Sequence, residues 1–396
     1  MNLLVHGWRA INHSFSMVNQ NQLVYLSALP DVHLVHEDAP LFKSDWSEQK
    51  NSSGFSAEFQ SRIRSIASPN ALDPIDWAYS IVFPFVYYRR PLGYPQPQRV
   101  ATFMVTEFGL APDHFQRLSQ DPKRFTQDGS IVITPSNWSR DRLVESGLDA
   151  DGVVVVPHGV DHTSFNMFDD ATRATLRTQL GFDESDFVFM NLGAMTWNKG
   201  IDLLLQAFFT LAQKHKHIKL VLKDQSNLYG MGAQALISRL AQEGKISPTD
   251  DSIKRLLVNS DNLSVQQLAS LYNVADCYVS PYYAEGFNLP VAEAGACGTR
   301  LIVTSGGATD DFCPDDLVQK VEARFVRGSP RVLNGADQNP SGGYASPDLE
   351  DLYQKMGDTL QHPAKKAAEL SSHLHLRFSW EGVCKQLGKI LDGKRS

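Results

Sequence analysis

Apolar residues recur along this chain in two forms: short unbroken runs, and longer stretches in which they return every three or four positions. The runs predict buried strands and the spaced stretches predict helix faces. In the first part, residues 2–5, 32–36, 75–85, 100–105, 131–136 and 153–156 read as strands or strand-and-loop runs, with helical spacing over 16–29 and 140–146. A polar stretch dotted with aromatics, 37–56, and a proline-rich stretch, 91–97, read as loops. Periodicity weakens over 161–186, apart from a short helix over 171–180, and we place a domain boundary there. The pattern then restarts: strand 187–191, loop 193–200, helix 201–214, alternating elements at 218–222, 234–242, 254–258, 265–273 and 276–280, and a strand 300–304 running into loop 305–308. Residues 325–344, rich in glycine, proline, asparagine and serine, predict a surface excursion, and 348–360, 364–377 and 380–391 predict three closing helices.

Strand and helix alternating twice predicts two α/β domains, each a mainly parallel sheet covered by helices. A length of 396 residues agrees, since one core rarely organises so long a chain. Composition adds little: 42% hydrophobic and 20% charged residues describe an ordinary globular chain. The net charge of -7 gives no electrostatic reason to expect nucleic acid. Four cysteines without Cys-x-x-Cys spacing predict reduced, structural thiols. No apolar run approaches the roughly 18 residues that span a bilayer, and the start of the chain lacks a basic, apolar leader. The expected setting is the cytoplasm, with a peripheral contact at the inner membrane face left open.

The chemistry concentrates in residues 280–298, Ser-Pro-Tyr-Tyr-Ala-Glu-Gly-Phe-Asn-Leu-Pro-Val-Ala-Glu-Ala-Gly-Ala-Cys-Gly. A strand leads in, and Glu285 and Glu293 bracket a helix start at which Asn288 fits the N-cap and Pro290 the first turn. The unpaired amides and positive dipole of such a start suit an anion beside Gly286 and Phe287, with Leu289 a further donor-binding candidate. Lys199 precedes helix 201–214, so its ammonium and the amides beyond it suit a phosphate as well. In the first half, ligands are expected in the loop after the first strand, which makes His6, Gly7, Arg9, Asn12, His13 and Ser14 candidates; local hydrogen bonding of the two histidines is an equal alternative. Glu107, just beyond strand 100–105, is either a crevice carboxylate or an exposed one.

The run EGFNLPVAEAGACGT resembles the signature of the retaining nucleotide-sugar glycosyltransferases of family 4: a glutamate, seven residues, a second glutamate, then a small-residue helix and a Cys-Gly-Thr turn. Supporting stretches follow that family's order, namely SNWSRDRLVESG, VVVVPHGVD, whose His158 joins the acceptor or facing-domain candidates, NLGAMTWNKGIDLLLQAF and VQQLASLYNVADCYVSP. The resemblance implies the GT-B architecture, two Rossmann-like domains facing each other across a cleft: an acceptor domain over 1–165, a nucleotide-sugar domain over 166–377, and a last helix, 378–396, crossing back to the first. It implies that Glu285 lies beside the transferred sugar, that Glu293 binds the ribose, that the amides of Phe287 and Asn288 hold the diphosphate, and that Lys199 neutralises it as it leaves. Loop 258–264, which includes Asn259, is expected to meet the base.

There are departures. Gly193 is followed by Ala194 where the family often has arginine, so Lys223 or Arg9 is the expected substitute. Thr106 and Glu107 stand where a histidine is common, and His6-Gly7-Trp8-Arg9 replaces a glycine pair. The expected function is retaining transfer of a sugar from a UDP- or GDP-sugar to a hydroxyl of a glycan, glycolipid or polysaccharide precursor. The nucleotide sugar is the co-substrate, with no cofactor and no metal. The alternatives are a sugar phosphorylase and a non-catalytic nucleotide-sugar-binding protein.

Overall fold

A computed structural model describes residues 1–116, 121–328, 342–362 and 366–393. The chain divides into two compact units: Met1–Gly159 with Arg327–Gly343 and Phe378–Ser396, and Val160–Val326 with Tyr344–Arg377.

The first unit contains β1 (Asn2–Gly7), α1 (Ser14–Leu26), β2 (His33–Asp38), the short helices α2 (Glu48–Asn51) and α3 (Ala57–Arg64), β3 (Trp77–Ile81), β4 (Arg99–Phe103), β5 (Ile131–Thr134), α4 (Asn137–Glu145) and β6 (Val153–Val155). Its six strands order as β2-β1-β3-β4-β5-β6, all parallel. The unbroken apolar runs are what burial on both faces demands: Leu3, Leu4 and Val5 are wholly buried in β1, and Ala78, Tyr79 and Ile81 in β3.

The second unit contains α5 (Asp170–Gln179), β7 (Phe187–Gly193), α6 (Ile201–Lys214), β8 (Ile218–Asp224), α7 (Ser226–Tyr229), α8 (Ala233–Gln242), α9 (Asp250–Ile253), β9 (Leu256–Asn259), α10 (Val265–Val274), β10 (Cys277–Ser280), α11 (Leu289–Ala296), β11 (Arg300–Thr304), β12 (Gln319–Val321), α12 (Leu349–Leu360) and α13 (Ala368–Arg377). Two further strands, β13 (Ala323–Arg327) and β14 (Gly343–Pro347), pair as a two-stranded sheet. The main sheet orders as β12-β11-β10-β7-β8-β9, again parallel throughout. Its core joins Phe189, Leu220, Leu222 and Val279 of the strands to Leu204, Phe208 and Leu211 of α6. This is why 201–214 carries helical apolar spacing.

The last helix, α14 (Trp380–Leu391), packs on α1 within the first unit. The indole nitrogen of Trp77 donates to the Leu391 carbonyl at 2.6 Å. Gly159 accommodates the start of this helix: a Cβ there would stand 2.5 Å from the Trp380 backbone.

Two expectations change. The polar stretch 37–56 is not all loop, because Ser47 caps α2, and Ser56 opens α3 just beyond it; short helices started by serine caps carry too little periodicity to be read. The predicted excursion 325–344 lies in large part outside the described residues, but its flanks are the strands β13 and β14. No described helix is long and apolar enough to cross a membrane. The four cysteines are buried thiols, as burial of small apolar groups favours.

Candidate active site

In the second unit the chain runs outward from β7 to β8 and β9 on one side, then returns to β10 and proceeds to β11 and β12 on the other. Ligands in open parallel sheets bind outside the carboxyl ends of the strands where this reversal occurs. The two strands at the reversal, β7 and β10, lead into the loops that hold Lys199 and Glu285. Residues 86 apart in sequence thereby meet: Lys199 Nζ donates to Glu285 Oε1 at 2.7 Å. Glu285 is buried and Lys199 half-buried, so the pair forms part of the wall and still reaches solvent.

Local geometry explains the approach. A turn of 3-10 helix, Trp197–Lys199, ends at Gly200, whose φ of 66° is left-handed. Glycine is required twice over there, since a Cβ would also lie 1.9 Å from the Pro281 carbonyl oxygen. The close pass brings the loop after β7 against the loop after β10.

Beyond Glu285, the chain enters α11 through Asn288, with φ 79° and ψ 66°. Asn288 stands at the N-cap position, but its side chain does not cap; its amide donates to Ser280 Oγ at 3.0 Å. A left-handed residue is needed at this corner, and asparagine is the side chain that tolerates it most readily. Leu289 and Pro290 form the first turn. The ring of Phe287 is buried and stacked on Phe312 at 4.6 Å.

Glu293 lies within α11 and accepts a hydrogen bond from the Tyr272 hydroxyl at 3.0 Å. Burial pushes its carboxyl up to about 8, against the opposing pull of that hydrogen bond. The group is therefore largely protonated at neutral pH.

The remaining donor-side candidates are less direct. Gly193 ends β7, and a Cβ there would sit 3.9 Å from the Lys199 stem. Lys223 does not stand open as a substitute for the missing arginine: it is buried and its ammonium donates to the Asp224 carbonyl. Burial lowers its pKa. Asn259, at the end of β9, bonds with Asp261 in an exposed turn.

The first unit has its own reversal, between β1 and β3, and His6 Nδ1 meets Ser80 Oγ across it at 3.2 Å. Burial lowers the pKa of His6. Gly7 backs onto Asn19, whose side-chain amide would lie 2.7 Å from a Cβ. Arg9 is committed to Asp38 through Nε and Nη2, so as a phosphate ligand it has to surrender an ion pair. His13 is the N-cap of α1, accepting from the Phe15 amide at 3.3 Å, and Ser14 is exposed in the first turn. Burial among the rings of Trp8, Trp46 and Phe15 takes the His13 pKa down to about 4. The Glu107 backbone carbonyl accepts from the Trp138 indole at 2.9 Å. His158 is a core residue between Phe103 and Trp380, with burial lowering its pKa to about 3, and not a crevice residue.

Sequence reading missed Tyr272, Trp197, Asn198 and Tyr283. Trp197 stacks on Tyr283 with centroids 4.2 Å apart and planes 13° apart. The sequence signal for Trp197, Asn198 and Tyr283 is proximity to Lys199 or Glu285, and Tyr272 lacks even that.

Two Rossmann-like units with these strand orders define the architecture of the GT-B glycosyltransferases. Residues 172–316 match the family glycosyl transferases group 1. A mannosylfructose-phosphate synthase of Agrobacterium fabrum is 24% identical over 318 residues, covering 78% of this chain and 62% of its own length. The match thus spans less than two thirds of that relative. Among solved structures, sucrose-phosphate synthase from Thermosynechococcus elongatus superposes with a TM-score of 0.65 at 16% identity, over 99% of this chain and 98% of its own. Anabaena Alr3699/HepE in complex with UDP-glucose gives a TM-score of 0.63 at 15% identity, over 99% of this chain and all (100%) of its own.

Proposed function

We propose that this protein transfers a sugar from a nucleoside diphosphate sugar to an acceptor hydroxyl with retention of anomeric configuration. The observation that carries the reading is the Lys199–Glu285 pair at 2.7 Å, at the strand reversal of the second unit and within the segment that matches group 1 glycosyl transferases. The UDP-glucose complex of a protein of the same fold favours a uridine donor, with guanosine the second choice.

In this reading the bond from the anomeric carbon to the diphosphate oxygen breaks as the acceptor oxygen bonds the same carbon from the same face. The acceptor's proton passes to the departing phosphate oxygen. Negative charge grows on that oxygen, and Lys199 stabilises it more in the transition state than in the ground state. An ammonium has three donors, so it can hold Glu285 and meet a phosphate together. Glu285, fixed by that bond, faces the sugar. The backbone of Gly286, Phe287, Asn288 and Leu289 cradles the diphosphate at the start of α11.

Glu293 takes the ribose. Its protonated carboxyl gives up its proton when two hydroxyls donate to it, so nucleotide binding releases protons near neutral pH. In this reading the reaction needs no cofactor and, with Lys199 and the amides at the start of α11, no metal. The acceptor is a glycan or glycolipid precursor met in the cytoplasm or at the inner membrane face.

Incubation with UDP- and GDP-sugars and candidate acceptors is expected to release UDP or GDP; no release with any pair overturns the reading. A non-catalytic binder is the second reading, favoured by the commitment of Lys223 to Asp224 and by Ala194 in place of arginine. Its mark is thermal stabilisation by UDP with no turnover.

A further inference from the structure

The Lys199–Glu285 pair joins two loops that share no secondary structure, so something besides the pair must hold them in register. The clasp lies one side chain away from each partner. The Asn198 carbonyl accepts from the amides of Tyr283 at 2.8 Å and Ala284 at 3.3 Å. The Asn198 side chain donates back to the Ala284 carbonyl at 3.2 Å, and Thr196 Oγ1 donates to its oxygen at 2.7 Å.

Above this ladder, Trp197 lies flat on Tyr283. Tyr283 is itself tied down through its backbone, its carbonyl accepting from the Ala345 amide of β14 at 2.8 Å. Tyr344 of β14 meets the edge of Trp197 at 5.0 Å, nearly perpendicular at 84°. Three segments of the second unit therefore converge on one aromatic stack, and Lys199 and Glu285 are each two residues from a member of it.

We propose that Trp197 and Tyr283, with the Asn198 clasp, are positioning residues that set the distance between Lys199 and Glu285. The inference rests on the sugar-transfer reading for its consequence, but the coupling of the two loops stands apart from any activity. A stacked indole and phenol gain dispersion and quadrupole energy only when nearly parallel and offset, so the stack fixes orientation as well as contact. Fixing matters because a misplacement of about 1 Å at a reacting centre can cost on the order of a hundredfold in rate.

The test uses the full chain in three forms, wild type, Trp197→Ala and Trp197→Phe, with whichever UDP- or GDP-sugar the wild type consumes. Trp197→Ala is expected to lower kcat roughly tenfold to a hundredfold while leaving the donor KM within about threefold, because a displaced Lys199 loses more in the transition state than in the ground state. Hydrogen exchange of residues 281–288 is expected to speed up in the same variant. Trp197→Phe, which keeps a ring on Tyr283, is expected to restore most of both. Where Trp197→Ala does not fold, Asn198→Ala carries the same signature at smaller size.

Unchanged kcat, unchanged exchange in 281–288, or a phenylalanine variant no better than alanine overturns the proposal. If the wild type consumes no nucleotide sugar, the functional reading fails and the exchange comparison still decides the coupling.

Discussion

The two units carry the same kind of crevice at the same kind of place and fill it differently. At the reversal between β7 and β10, a cation and a carboxylate meet beside a helix entered through a left-handed residue. At the reversal between β1 and β3, a histidine meets a serine, the adjoining helix is capped by a neutral imidazole, and the nearby arginine is spent on Asp38. Topology makes the crevice and side chains decide its chemistry. The second reversal brings a cation onto a carboxylate; the first brings a histidine onto a serine, with the charges of Arg9, Glu37 and Asp38 close by.

The largest effect that can break this contrast is catalytic. Lys199→Ala is expected to cost a hundredfold to a thousandfold in nucleotide release, about 3–4 kcal/mol of transition-state stabilisation. Arg9→Ala, in the other crevice, is expected to cost less than about tenfold, since a partly exposed ion pair contributes little. Equal losses would erase the distinction.

Glycines probe the same contrast through stability. Gly200→Ala meets a backbone carbonyl at 1.9 Å with φ at 66°, and is expected to lose about 3 kcal/mol or more in urea unfolding. Gly7→Ala meets the Asn19 side-chain amide at 2.7 Å, which can shift, and is expected to lose only about 1–2 kcal/mol.

Acid should act on the units in opposite senses. In the first, His13, His36 and His158 have pKa values lowered by burial to about 4, 3 and 3. A histidine depressed below its unfolded value of 6.5 contributes stability that is present above 6.5 and lost as pH falls toward the folded value. In the second, Glu293 is raised to about 8 from 4.5, so its penalty is present above 8 and relieved as pH falls toward 4.5. Lys366, lowered to about 7, has spent its effect by neutrality. Between pH 7 and 5, hydrogen exchange corrected for intrinsic rates is expected to speed up in β1 and β3 relative to β7 and β10.

The smallest effect isolates one group. Glu293→Gln should raise the melting temperature at pH 8 by a few degrees, on the order of 1–2 kcal/mol, with little change at pH 5, and should weaken the stabilisation given by UDP. A lower melting temperature at pH 8 would show that the ionised carboxylate supports the fold.

Sequence alone determined the alternation of elements, because strands buried on both faces and helices buried on one leave unmistakable apolar patterns, as residues 2–5, 100–105 and 201–214 show. It also marked Glu285, Glu293 and Lys199, since a helix start with flanking charges is a local feature. Tertiary structure alone decided which charges meet. Whether Lys199 finds Glu285, 86 residues away, depends on two strands becoming neighbours at a reversal that no local pattern encodes. The same holds for losses from the expected site: Arg9 was claimed by Asp38, Lys223 by a carbonyl, and His158 by the core. Side-chain chemistry is written in sequence, but the partner that consumes or completes it is chosen by packing.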